Sequence, residues 1–134
     1  MDLTQKTRSE LIERALNTRS FSYSPYSHYA VGAALLTESG KIYTGVNIEN
    51  SAYPTSICAE RVAIFKAVSE GERTFTAIAI ATDNGGSPCG SCRQVMAEFS
   101  LQMQVIIVDD SGRVHLDAPL EELLPHAFTP DDLV

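Results

Sequence analysis

Residues 75–108 read FTAIAIATDNGGSPCGSCRQVMAEFSLQMQVIIV, and the succession of element types in this stretch decides the fold. The opening F-T-A-I-A-I-A-T is a short apolar run without polar alternation, which suits a strand buried on both faces. The loop D-N-G-G-S leads to Pro88, and residues 90–99 then read as a helix. Residues 104–108, Q-V-I-I-V, form a second strand rich in branched side chains. Strand, helix and strand in this order make a parallel, right-handed unit.

A hairpin lies on either side of that unit. Upstream, residues 30–37 and 41–48 are joined by E-S-G; downstream, residues 104–108 and 113–116 flank the turn D-D-S-G. Residues 9–19 place Leu11, Ile12, Ala15 and Leu16 on one helical face, and residues 58–70 repeat Val62, Phe65 and Val68 at helical spacing before Gly71. A short helix over 120–124 precedes an acidic tail. The order α-β-β-α-β-α-β-β-α predicts an α/β three-layer sandwich: a mixed five-stranded sheet with helices on both faces. With no linker in view, residues 1–134 read as a single domain. Residues 21–29, F-S-Y-S-P-Y-S-H-Y, are a loop unusually dense in rings.

Composition narrows the function. A 134-residue chain with 44% hydrophobic and 20% charged residues can bury an ordinary globular core. The N-terminal M-D-L-T-Q-K-T-R-S-E lacks the apolar segment of a signal peptide, and no apolar run approaches the ~18 residues of a membrane span. These features predict a cytoplasmic protein with reduced thiols. The net charge of −7 is uneven: residues 109–134 hold seven acids against Arg113 alone. Without clustered Lys and Arg there is no footprint for a nucleic-acid polymer. A small neutral or cationic ligand fits this balance better.

Three cysteines carry the chemistry. Cys58 stands in I-C-A-E-R, and Cys89 and Cys92 stand in S-P-C-G-S-C-R-Q, each group at a predicted helix N-terminus. There the free N–H groups and the positive end of the helix dipole favour thiolates. Three thiolates and an open fourth position describe a catalytic zinc site, one ion per chain. A closed structural site needs another ligand, and His28, His115 and His126 stand at no ligand-like spacing. Glu60, two residues after Cys58, is placed to take a proton from a metal-activated water and return it to the substrate. Three thiolates and Glu60 leave excess negative charge, and Arg61 is the adjacent cation that compensates it.

Zinc nucleobase deaminases have this composition: three Cys, or His and two Cys, a nearby Glu that is not a ligand, and a downstream P-C-x-x-C. The strings N-I-E-N-S-A-Y (residues 47–53), C-A-E-R (58–61) and S-P-C-G-S-C-R-Q (87–94) resemble the small homotetrameric cytidine deaminases of free nucleoside salvage. The resemblance runs from about Ser22 onward. It implies Cys58, Cys89 and Cys92 as zinc ligands, Glu60 as proton shuttle, and Asn47 and Glu49 on the ribose hydroxyls of a pyrimidine nucleoside. The resemblance also implies that Ala59 faces the pyrimidine edge through its backbone. Phe128 would cap the pocket of a neighbouring subunit. Tyr29 stands where the family's P-Y-S-x-F segment has Phe, so its hydroxyl needs a partner; D-N-G-G-S (83–87) looks short for the family.

Two other readings share part of this pattern. A deaminase for another cytosine-bearing molecule, such as blasticidin S, would keep the Cys-x-Glu core but have no use for Glu49. A thioredoxin-like redox protein would place Cys89-Gly-Ser-Cys92 after a strand and at a helix start, yet leave Cys58 and Glu60 without a role.

Overall fold

Alternation of small and large side chains along the central strand lets helices pack on both of its faces. In the computed structural model, which describes residues 3–133, this strand is β3 (Phe75–Ala81). It sits in the middle of a five-stranded sheet with β1 (Gly32–Thr37), β2 (Ile42–Val46), β4 (Gln104–Val108) and β5 (Val114–Pro119), in the order β2-β1-β3-β4-β5. Strands β3 and β4 are parallel, with Ile78 opposite Val105 and Ile80 opposite Ile107; the other pairings are antiparallel. The mixed sheet expected from the sequence is therefore present.

The helices α1 (Gln5–Thr18), α2 (Ala59–Ser69), α3 (Gly90–Phe99) and α4 (Leu120–Leu123) complete the layers. On one face Leu11 and Ala15 of α1 pack on Ala34, Leu36, Ala77, Ala79, Ala81, Ile106 and Val108. On the other, Ala63, Ile64 and Ala67 of α2 and Met96 of α3 pack on Leu35, Ile78, Ile80, Val105 and Ile107. Odd and even positions of each inner strand thus serve opposite layers, as a period of two requires. Among the described residues no helix is long and apolar enough to cross a membrane.

Among the departures from the sequence expectation, three are informative. Helix α1 begins at Gln5 rather than near Ser9, because the Thr4 hydroxyl caps it by accepting from Thr7 N at 3.1 Å. Its first turn is polar and carries no apolar period to mark it. Helix α2 does not bury the Val62–Phe65–Val68 face: Phe65 is 46% exposed, and the buried residues are Ala59, Glu60, Ala63, Ile64 and Ala67. Small residues win because the helix lies almost on the sheet; a Cβ on Gly45 would fall 2.5 Å from Ala59 O and Ala63 N. Strand β2 ends at Val46, after which Ile48 bridges both Tyr23 and Ile57. That departure carries Asn47 and Glu49 out of the sheet and towards the N-terminus of α2.

Candidate active site

A cavity of about 410 Å³ opens beyond the carboxyl end of β3, where the N-termini of α2 and α3 converge. Ligand sites in open α/β sheets commonly lie outside strand carboxyl ends. Cys58 is the N-cap of α2 and Cys89 the N-cap of α3, with Cys92 in the first turn. Their three sulfurs lie within 4.8 Å of one another; Cys58 Sγ is 3.8 Å from Cys89 Sγ, and Cys89 Sγ is 3.5 Å from Cys92 Sγ. Two sulfurs bound at ~2.3 Å to one tetrahedral zinc stand ~3.8 Å apart. The spacing and the soft thiol donors fit one zinc ion per chain, with a fourth position left to solvent or substrate.

Charge in the cluster is polarised. The Cys58 thiol is drawn down to about 5, first by the neighbouring Cys92 S–H and then by Arg61, whose Nη2 donates to Cys58 Sγ at 3.3 Å. Cys92, sharing its proton with Cys58 and fully buried, is pushed well above the usual thiol range. Arg61 is held more firmly protonated, chiefly by that bond to Cys58. Its Nε is buried without a hydrogen-bond partner among the described residues, so the guanidinium spends its reach on sulfur. Glu60 is 4% exposed, and burial, followed by the charge on Cys58, raises its carboxyl above the ordinary range. A carboxyl raised in this direction takes up a proton more readily than an exposed one, as a general acid–base group requires.

The far end of the cavity is built by Asn47, Glu49, Ser27 and Tyr29. Asn47, 8% exposed, donates from Nδ2 to Tyr29 O at 2.7 Å and accepts at Oδ1 from Val31 N at 2.9 Å and from the Ser22 hydroxyl. Glu49 Oε1 accepts from the backbone N–H groups of Tyr26 and Ser27, each at 3.0 Å, and Oε2 accepts from the Ser27 hydroxyl. The Ser27 hydroxyl, then its backbone N–H, keeps the Glu49 carboxyl below its usual range, hence ionised. Both side chains therefore shape the aromatic loop as well as lining the cavity, a double duty the sequence does not reveal.

Ala59 is fully buried and lines the cavity, as does Tyr29. The Tyr29 hydroxyl finds its partner in Asn84, donating to Oδ1 at 2.8 Å. Phe128 lies outside its own chain's cavity; its ring is 57% exposed and its carbonyl accepts from Gln94 Nε2 at 2.9 Å. Arg93, unassigned on sequence, braces the α3 entry by donating to Pro88 O at 2.8 Å and Leu123 O at 2.7 Å. Sequence reasoning passed over Ser27, Thr82 and Asn84. Only the position of Ser27 within P-Y-S-H-Y offered a signal.

The family described as "Cytidine and deoxycytidylate deaminase zinc-binding region" matches residues 5–108. A cytidine deaminase of Sporosarcina psychrophila is 50% identical over 127 residues, covering 92% of this chain and 93% of the other. A probable cytidine deaminase of Dictyostelium discoideum is 43% identical over 135 residues, covering 98% and 90%. The 1.6 Å crystal structure of cytidine deaminase from Burkholderia pseudomallei superposes with a TM-score of 0.86 at 40% identity, covering 94% of this chain and all of that one.

Proposed function

The chain belongs to the zinc-binding cytidine deaminase family, and from that premise we propose that it hydrolyses cytidine and 2'-deoxycytidine to uridine and 2'-deoxyuridine, releasing ammonia. The observation that carries this reading is the convergence of three cysteine sulfurs and a buried Glu60 at one end of a cavity whose other end holds Asn47 and Glu49. Cys58, Cys89 and Cys92 hold the zinc, which when bound supplies the Lewis acidity that makes a water nucleophilic at neutral pH. Glu60 takes a proton from the attacking water on a carboxylate oxygen and delivers it to the exocyclic nitrogen that leaves as ammonia. Arg61 offsets the negative charge of the thiolates. The backbone at Ala59 and the Tyr29 ring orient the base, while Asn47 and Glu49 bind the ribose.

Electrostatics supports a nucleoside over a nucleotide. Among the described residues that line the cavity, Arg61 is the one cationic side chain, and it is committed to Cys58. Glu49 adds an anion at the sugar end, which disfavours a 5'-phosphate by like-charge repulsion. A redox reading of Cys89 and Cys92 gains no support from Glu60, which is buried beside the thiols with no part to play in disulfide exchange.

Glu49→Ala tests the substrate assignment. It is expected to raise KM for cytidine at least ~10-fold, the cost of losing a charge-assisted hydrogen bond, while zinc content stays at one per chain. Free cytosine, which lacks the groups Glu49 would bind, should be a poor substrate for the unmodified enzyme. Turnover of cytosine as fast as cytidine contradicts the ribose role.

We further propose a single-domain, cytoplasmic enzyme of pyrimidine salvage that works as a homotetramer. Exposed rings support self-association: Phe21 is 78% exposed, Tyr53 70% and Phe128 57%, a costly display for an isolated chain. Light scattering is expected to give four times the 14.6 kDa chain mass. Removal of residues 128–134 is expected to damage nucleoside binding more than zinc retention, because Phe128 caps a neighbour's cavity. A fully active monomer at low concentration contradicts this.

A further inference from the structure

The loop at residues 83–87 forms the wall through which the chain reaches Cys89, and Gly86, Ser87 and Pro88 line the cavity. It is short, and it is fastened at several points. Thr82, 2% exposed at the end of β3, accepts at Oγ1 from Gly85 N at 2.8 Å and Gly86 N at 3.0 Å. Two links then join the loop to the segment bearing Tyr29. The Tyr29 hydroxyl donates to Asn84 Oδ1 at 2.8 Å. Arg19 donates from Nε to Ala30 O at 2.8 Å and forms an ion pair with Asp83. The Asp83 carboxylate is half-exposed, so the Arg19 link is the weaker constraint.

The contact leaves no slack. A Cβ on Gly86 would lie 2.5 Å from the Tyr29 hydroxyl oxygen, and one on Gly85, whose φ is +77°, would lie 2.4 Å from the His115 ring. His115 is itself held by Asp109 through Nε2 at 2.8 Å. The loop is thus seated between Tyr29 on the cavity side and His115 on the other. A side chain at Gly86 would have to displace the Tyr29 hydroxyl, and one at Gly85 would displace the His115 ring and also sit in a left-handed backbone conformation that favours glycine.

We propose that the Tyr29–Asn84 hydrogen bond is a positioning latch that holds the loop in its binding-competent arrangement before substrate arrives. A loop that is ordered in advance does not lower affinity by the fraction of time spent in incompetent states. Breaking the latch costs binding in the ground and transition states equally, which raises KM and leaves kcat in place. Asn84 acts through Tyr29 and the loop, since it does not itself line the cavity. The kinetic part of this inference rests on the nucleoside reading above; the latch itself does not.

The test is a double-mutant cycle on the zinc-loaded enzyme, with Asn84→Ala, Tyr29→Phe and the double variant assayed on cytidine. Asn84→Ala is expected to raise KM ~5-fold, the equivalent of about 1 kcal/mol for one hydrogen bond, with kcat within about two-fold. The double variant should add little to either single change, and Asn84→Asp, which keeps the acceptor, should restore KM. Amide exchange at Gly85 and Gly86 should accelerate in Asn84→Ala while that of β3 does not. Unaltered exchange at both glycines overturns the latch, as do fully additive effects or a fall in kcat at constant KM. A wild-type enzyme inert to cytidine overturns the nucleoside reading instead, and exchange at Gly85 and Gly86 then decides the latch by itself.

Discussion

Glu60→Ala is expected to lower kcat on cytidine by at least ~100-fold while the protein keeps its zinc, the scale of a lost general acid–base group. Glu60 is buried at the start of α2, beside Cys58 and within the cavity lining. Its carboxyl is raised by burial and by the neighbouring sulfur charge, so it holds a proton more readily than an exposed carboxylate does. Alanine removes the group that moves the proton but none of the sulfur donors. Metal analysis and steady-state kinetics on one preparation check both halves. If kcat falls only in step with zinc content, Glu60 is a support for the metal and not a proton carrier.

Cys58→Ala is expected to be more severe, with zinc content falling below about a tenth of stoichiometric and deamination lost, because two thiols and water make a poor zinc site. Arg61→Ala acts on the same sulfur more gently. Arg61 donates to Cys58 Sγ at 3.3 Å and helps draw that thiol down to about 5. After chelation of the metal, alkylation of Cys58 by iodoacetamide is therefore expected to set in from about pH 5 upward. Arg61 favours the charged form, so its removal moves the onset of alkylation to higher pH. The same loss of compensation should lower deaminase activity and shift the pH profile of kcat/KM towards alkaline values. An onset unchanged in Arg61→Ala contradicts the charge-compensation role.

The sheet was legible because its inner strands are short apolar runs separated by unambiguous turn residues. F-T-A-I-A-I-A-T is central and doubly buried, as its composition predicts, and its alternation of Ala with Ile decides which helix packs on which face. Helix faces were less legible. Phe65 looked like a core residue by spacing, whereas the close approach of α2 at Gly45 selects alanines for the buried side and turns Phe65 outward. At the site, the three cysteines that the fold brings together could be picked out by residue type and spacing, because a metal site would demand soft donors close together, and Glu60 stands two residues from one of them. Asn84 could not, since its partner Tyr29 is 55 residues away and nothing local marks a hydrogen bond between two loops. The structural duty of Asn47 and Glu49 was hidden for the same reason: their partners at residues 26–31 meet them only in the folded chain.

The most direct test of the central claim is ultraviolet absorbance followed for the zinc-loaded protein given cytidine, deoxycytidine, cytosine, adenosine and blasticidin S in parallel. The account predicts that cytidine and deoxycytidine are consumed with one ammonia released per nucleoside, and that cytosine, adenosine and blasticidin S are left essentially intact. A protein that carries one zinc per chain yet leaves both cytosine nucleosides unchanged would contradict it.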